Sequence, residues 1–294
     1  MPRAPLPFAF LDGDFIAAAD ARVSAFDRGF LFGDGVYEVI PVYGGRAFHA
    51  DHHLARLAHS LEGIELDSPW DDDWWQSRIN ELISRNGSGD QSLYLQVTRG
   101  AEHGRDHRFP ADVEPTVFMF STATPARDAA VDRNGLKAIT AEDFRWARCD
   151  LKTISLLANV LLRQQAHAAG ADEVILHRGG HLTEASVSNA YIVSGGRVVT
   201  PPLSAELLPG ITRIVTLELC ASLGIPVAER ALTVDELDAA DEVWITSSTR
   251  EIGPIVSIDG KPVGAGKPGP LYAKLRAAFD DLIASWRSGS APTV

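Results

Sequence analysis

The chain has 294 residues, 45% of them apolar, with 39 acidic against 27 basic side chains and a formal net charge of −12. That length leaves room for two domains with separate cores. The acidic balance argues against a nucleic-acid surface, and no stretch is long and uncharged enough to cross a bilayer. Two cysteines, Cys149 and Cys220, make no disulfide framework and fit a reducing cytoplasmic compartment. The segment before Asp12 has no apolar run of signal-peptide length.

In chain order, Phe8 to Leu11, Asp12-Gly13-Asp14 and Phe15 onward read as a hairpin. Asp27-Arg28-Gly29-Phe30-Leu31-Phe32-Gly33-Asp34-Gly35 reads as a glycine-punctuated loop feeding a strand from Val36 to Tyr43. Adjacent Val39 and Ile40 break strict alternation, a pattern that suits a strand covered on both faces. Pro41 cannot donate to a ladder, which predicts a bulge or an unpaired position. An amphipathic helix follows from His52 to about Leu61 with Asp51 as its N-cap. Adjacent His52 and His53 point to different sides of it, which disfavours a shared metal. Residues 71–85 form a second helix, with Trp74, Trp75, Ile79, Leu82 and Ile83 on one face and three aspartates suited to its N-terminal dipole. Strands over 91–99 and 116–121 flank a charged stretch, 100–111, that reads as a solvated loop. Polar residues 125–135 read as a linker between a small N-terminal α/β domain (1–124) and a larger C-terminal domain (136–294).

Residues 149–193 are the most informative. Lys152 stands beside apolar residues, just before Leu156, Leu157, Val160, Leu161 and Ala166 recur at helical spacing. An apolar run (Val174, Ile175, Leu176), a Gly179-Gly180 turn and then Glu184, Ser186, Ser188 and Asn189, crowded between two strand-like segments, follow. Most lysines are solvated surface residues and most Ser/Asn-rich turns are only turns. Among lysines 137, 152, 261, 267 and 274, however, Lys152 has the most distinctive surroundings. A lysine with a carboxylate about thirty residues further on suggests pyridoxal phosphate chemistry, in which the amine holds the aldehyde and the carboxylate pairs the pyridine nitrogen.

Further on, Gly195-Gly196 marks a hairpin and Pro201, Pro202 and Pro209 a loop. Gly210-Ile211-Thr212-Arg213 opens a helix running to Gly224, a start that suits either an anion on the helix N-terminus or plain N-capping. Thr233 to Glu236 reads as a capping box. A strand over 241–245 ends in Thr246-Ser247-Ser248-Thr249, hydroxyls that suit a phosphate or a simple Ser/Thr turn. A hairpin around Asp259-Gly260, a helix over 271–286 and a frayed end over 287–294 complete the chain.

From about Phe8 to Phe279 the chain resembles the fold-type-IV pyridoxal-phosphate enzymes, which include D-amino acid transaminases, branched-chain aminotransferases, aminodeoxychorismate lyases and (R)-selective amine transaminases. The resemblance is carried by Lys152 in DLKTISLLANV, by Leu182-Thr183-Glu184-Ala185-Ser186 with Asn189, and by Gly210-Ile211-Thr212-Arg213. Ala185 departs from the glycine that the family prefers there. The resemblance implies an α/β (α+β) two-domain fold with pyridoxal 5′-phosphate between the domains, and a homodimer as the working unit. It implies that Lys152 is the Schiff-base lysine and that Glu184 partners the pyridine nitrogen. Arg56, in a His-x-x-Arg-Leu segment, is implied to bind the phosphate along with Gly210, Ile211 and Thr212. The resemblance further implies that Ser248 and Thr249 form a second phosphate segment that also faces substrate, that Ser186 and Asn189 complete the cofactor site, and that Leu208 packs against the ring.

Arg105-Asp106-His107 matches the Arg-x-His pair of D-amino acid transaminases, and Tyr37 matches their tyrosine after the Gly-Asp-Gly loop. By that resemblance Tyr37, Arg105 and His107 trap the substrate carboxylate, with Val39 as a pocket wall, and the loop reaches the site of the other subunit. The implied reaction moves the amino group of a D-amino acid such as D-alanine to 2-oxoglutarate, giving D-glutamate and a 2-oxo acid by a ping-pong mechanism. Branched-chain L-amino acid transamination is the nearest alternative, and Arg105-x-His107 argues against it. Lyase, amine transaminase and non-catalytic binding roles on the same scaffold follow. Arg108, beside the trap, is a candidate for widening tolerance toward dicarboxylates.

Overall fold

A computed structural model describes residues 3–102 and 104–290. Met1, Pro2, His103 and residues 291–294, the last five belonging to the loop and the frayed end predicted above, lie outside the described residues. The chain divides into two units: Met1–Pro125 with Leu151–Ser155 and Ile283–Val294, and Ala126–Asp150 with Leu156–Leu282. The lysine segment thus groups with the first unit. The predicted linker 125–135 carries a short helix, Ala129–Asn134, that groups with the second.

The first unit contains β1 (Pro5–Leu11), β2 (Asp14–Ala17), α1 (Arg28–Phe32), β3 (Gly35–Tyr43), β4 (Arg46–Ala47), α2 (Ala50–Gly63), α3 (Asp72–Arg85), β5 (Gln91–Thr98) and β6 (Thr116–Ala123). Its strands form one antiparallel sheet in the order β2-β1-β6-β5-β3-β4. Leu93, Leu95 and Val97 alternate inward on β5, and Leu54, Leu57 and Leu61 of α2 with Trp75, Ile79 and Leu82 of α3 recur at helical spacing to meet them in one core.

Two local features differ from the sequence reading, and at Pro41 the second of its two alternatives holds. The glycine-punctuated stretch contains α1, because Asp27 accepts from the Gly29 N–H and Gly33 ends the turn in the left-handed region. Helix α2 begins at Ala50 after His49, whose φ is 48°, with no side-chain cap; Asp51 lies inside the first turn, where its charge suits the dipole. Pro41 needs no bulge in the β3–β5 register, where it faces Ser92. Its carbonyl accepts from Phe48 on the β4 side, beyond the two-residue β3–β4 ladder, so its missing N–H also faces the short edge strand.

The second unit contains α4 (Ala129–Asn134), β7 (Leu136–Glu142), α5 (Leu157–Ala168), β8 (Glu173–Arg178), β9 (His181–Ala185), β10 (Asn189–Ser194), β11 (Arg197–Thr200), α6 (Ile211–Ser222), β12 (Val227–Glu229), α7 (Val234–Asp238), β13 (Glu242–Ser247), β14 (Glu251–Ile258) and β15 (Lys261–Pro262). Helix α8 (Pro270–Ser288) follows, its residues from Ile283 grouping with the first unit. The sheet runs β12-β11-β10-β13-β14-β7-β8-β9, with β15 on β14. Strands β7 and β8 are parallel and joined through α5, which explains the unbroken apolar run in β8. Val174 and Leu176 pack with Leu162 and Ala166 of α5, while Ile175 joins the core on the opposite side. Helix α5 has a second apolar surface: Leu157, Val160 and Leu161 are 72%, 59% and 53% exposed. The capping box at Thr233 and Glu236 forms as predicted.

Leu95 is fully buried in the first unit's core. Leu95→Ala is expected to cost about 2–5 kcal/mol, read as a lower urea midpoint at unchanged slope.

Candidate active site

Lys152 is held by backbone pairing. The Tyr37 N–H donates to the Lys152 carbonyl at 2.9 Å, the Ile154 N–H donates to the Gly35 carbonyl at 3.0 Å, and Val36 bridges Thr153. The Lys152 N–H donates to Ser60 Oγ at 3.1 Å. Gly35 lets β3 pass close to β5 at this point, since a Cβ there would lie 2.6 Å from the Val97 carbonyl. The Lys152 ammonium stands 4.3 Å from the centroid of the Tyr37 ring, an attractive cation–π distance. Among the described residues it makes no ion pair. Val39 lies two residues from Tyr37 on the same half-buried face of β3.

Glu38 points to the other face and is fully buried. Arg56 grips both its oxygens, Nε to Oε1 at 2.8 Å and Nη2 to Oε2 at 2.7 Å, and His53 Nδ1 lies 2.7 Å from Oε2. Burial pushes the Glu38 carboxyl upward, but the charge and hydrogen bonds of Arg56 and His53 outweigh it and hold the group far below the usual carboxylate range. Burial lowers His53. A neutral imidazole beside an ionised carboxylate must donate from Nδ1. Arg56, implied above as a phosphate ligand, is therefore braced by a fixed anion.

Arg105 and His107 sit on the loop after β5, and their ring and cation–π contacts are with α1. The Arg105 guanidinium lies 5.0 Å from the centroid of the Phe32 ring and the His107 ring 5.2 Å from it. Among the described residues neither makes a hydrogen bond or ring contact with Tyr37. Arg108 is turned to Asp106, with Nε–Oδ2 at 2.9 Å and Nη2–Oδ2 at 2.6 Å.

In the second unit, buried Glu184 gathers donors on both its oxygens. Arg145 Nη1 donates to Oε1, while Asn189 Nδ2 and the Leu208 N–H each donate to Oε2 at 3.1 Å. Asn189 also donates to the Leu208 carbonyl at 2.8 Å. Arg145 is shared with Asp143, Nε–Oδ1 at 2.9 Å and Nη2–Oδ2 at 2.8 Å, and the Thr183 hydroxyl donates to Asp143 at 3.0 Å. Burial dominates at Glu184 and leaves its carboxyl above the usual range although Arg145 pulls it down. Gly210 stands against Asn189, where a Cβ would come within 2.1 Å of Oδ1. It begins α6 with no side-chain cap, so the plain-capping alternative is not realised and the first amides of α6, at Ile211 and Thr212, are available to an anion.

The structure thus brings Glu184, Asn189, Leu208 and Gly210 together. Ser186 is turned instead to Glu173 Oε1, while the buried Ser188 hydroxyl has no hydrogen-bond partner among the described residues. Of the four hydroxyls at the end of β13 and just beyond it, Thr246 lies 3.0 Å from the Tyr191 hydroxyl and Ser247 accepts from the Arg250 N–H at 3.2 Å. Ser248 and Thr249 occupy the turn before β14. Arg250 donates to the Asp172 carbonyl at 3.1 Å. Arg145, Asp143, Glu38 and Phe32 are the residues that sequence reasoning passed over; Asp143-x-Arg145 is a short charged pair with no motif spacing.

A lysine amine, a buried carboxylate under an arginine, an uncapped helix start and a braced arginine are the donor set that pyridoxal phosphate requires. The chain belongs to the class IV aminotransferases, the family described as "Amino-transferase class IV", which matches residues 35–258. It is 42% identical over 276 residues to a D-alanine aminotransferase of Bacillus licheniformis, covering 93% of this chain and 96% of the relative. Its fold is similar to that of an Escherichia coli branched-chain amino acid aminotransferase, at TM-score 0.89 and 24% identity over 98% and 97% of the two chains. It is also similar to a T.th. branched-chain enzyme solved with pyridoxamine 5′-phosphate, at TM-score 0.88 and 26% identity over 98% and 96%.

Arg145→Met would leave Glu184 and Asp143 without the cation that both share. The Glu184 carboxyl, already above the usual range, would rise further, and that of Asp143 would lose the cation that lowers it most, so stability would fall as pH rises through the raised range. The variant is expected to lose about 3–5 kcal/mol near pH 8 and less near pH 5, checked by urea denaturation at both pH values.

Proposed function

We propose that this chain is a pyridoxal-phosphate-dependent D-amino acid transaminase, moving the amino group of D-amino acids such as D-alanine to 2-oxoglutarate by a ping-pong mechanism. Lys152 is the observation that carries the transaminase reading: its amine is set over Tyr37 with no ion-pair partner among the described residues. The Arg105-x-His107 loop, with the 42% identity to a D-alanine aminotransferase, supports the D series. Similarity of fold to branched-chain aminotransferases keeps L-leucine as the second reading.

When bound, pyridoxal phosphate supplies an electron sink for the substrate α-carbon. Lys152 Nζ takes the proton from that carbon and returns it on the other side of the transfer, as general base and then acid. Glu184, hydrogen-bonded by Arg145, would pair with the pyridine nitrogen and favour a proton there. Arg56, braced by Glu38, holds the phosphate with the α6 amides of Ile211 and Thr212 and the hydroxyls of Thr212, Ser248 and Thr249. Asn189 and Leu208 fix the Glu184 carboxylate, and Gly210 leaves room for Asn189. Arg105, His107 and Tyr37 bind the substrate carboxylate, so that orientation supplies a large part of the rate.

The working unit is a homodimer in this reading. The exposed Leu157, Val160 and Leu161 of α5 supply a ready apolar contact surface. Two buried free thiols, Cys149 and Cys220, suit a reducing cytoplasm.

Two measurements test these assignments. Rapid mixing of the yellow holoenzyme with D-alanine is expected to bleach its absorbance, while L-leucine and (R)-phenylethylamine leave it unchanged; bleaching by L-leucine alone would reverse the choice of substrate. Leu161→Asp is expected to convert a dimer to a monomer by sedimentation, whereas a wild-type monomer would remove the dimer.

A further inference from the structure

Arg105 and His107 lie on an irregular loop, where a carboxylate trap would ordinarily lose much of its strength to the cost of ordering its side chains. Here the loop is pinned at several points by one small frame. Phe32, the last residue of α1, offers its ring to both proposed carboxylate ligands, with Arg105 at 5.0 Å and His107 at 5.2 Å from the ring centroid. Arg28, at the start of α1 and buried, donates to the Asp106 carbonyl at 2.7 Å and to the His107 carbonyl at 3.4 Å, and its guanidinium also lies 4.7 Å from the Phe32 ring. The downstream end is held by Arg99, 3.8 Å from the Phe109 ring centroid. Asp34 Oδ2 joins the two arginines, accepting from Arg28 Nε and Arg99 Nε at 2.9 Å each.

We propose that Phe32 is a positioning residue for substrate carboxylate binding. Its ring, backed by the Arg28–Asp34–Arg99 frame, presets the side chains of Arg105 and His107 in the substrate-free protein. The proposal rests on the carboxylate-trap reading above. Phe32 touches neither substrate nor cofactor in it. A cation–π contact uses none of a guanidinium's N–H donors, so the platform holds Arg105 and leaves them free for a carboxylate.

Phe32→Leu keeps much of the volume of this half-buried side chain and removes the aromatic face. KM for D-alanine and for pyruvate is expected to rise about tenfold, with kcat held within about twofold. Amide hydrogen exchange in the substrate-free holoenzyme is expected to quicken at residues 104–109 and to stay unchanged at Lys152 and Glu184. Arg105→Ala and the double variant complete a cycle in which the Phe32→Leu penalty shrinks once Arg105 is gone. If Arg105→Ala raises KM and Phe32→Leu changes neither KM nor exchange, the platform is wrong and the trap stands. If neither substitution raises KM, the trap reading fails and the platform falls with it. A Phe32→Leu effect on kcat and melting temperature alone would mean a purely structural ring.

Discussion

Glu184 can stay ionised inside the second unit only if its charge is answered, and much of the local structure follows from that requirement. Arg145 answers it, and because Arg145 also serves Asp143, neither carboxylate has a full arginine to itself. The remaining demand is met by weaker donors, Asn189 and the Leu208 amide. Asn189 must then sit where only a glycine can face it, which fixes Gly210. The start of α6, the loop at Leu208 and the turn between β9 and β10 are thereby set by one carboxylate.

The two buried carboxylate–arginine pairs of this chain reach opposite results for reasons that can be read from their donors. Glu38 has a whole arginine on both its oxygens plus a histidine, and is held far below the usual range. Glu184 has a shared arginine and two neutral donors, and burial keeps it above. The first is a permanent anion whose work is structural. The second still gains from another cationic hydrogen bond, which is the condition under which a carboxylate strengthens its hold on a protonated ring nitrogen. The same residue type is thus pushed in opposite directions by its donors in the two units.

Much of this was legible in the sequence, and the omissions have physical causes. Hydrophobic period found the helices over α2, α3, α5 and α8, and turn chemistry found most hairpins. Lys152 stood out by its apolar neighbours, and Glu184 by its crowding with Ser186, Ser188 and Asn189 between two strand-like segments. Helix α1 was hidden because three of its residues are large and apolar and its signals are only Asp27 at the start and Gly33 at the end. Arg145 was hidden because its partners are near in sequence at Asp143 but 39 residues away at Glu184, and no spacing rule links them. Periodicity also identified an apolar stripe on α5 without revealing that Leu157, Val160 and Leu161 would remain exposed, since the pattern records hydrophobicity and not the partner that covers it.

Backbone similarity separates these activities poorly. TM-scores of 0.88 and 0.89 relate this chain to branched-chain enzymes at 24–26% identity, while the named relative at 42% identity is a D-alanine aminotransferase. A scaffold shared this closely cannot itself decide which hand of amino acid is accepted. The choice must lie in side chains that meet the substrate carboxylate, and the two proposed for that role, Arg105 and His107, lie on an irregular segment after β5. Loops vary at small cost to the fold, so specificity can change there without disturbing the sheet. Irregular backbone can bind a carboxylate tightly only if something else supplies the rigidity. In the proposal above that rigidity comes from α1 and from Asp34, which accepts from both Arg28 and Arg99.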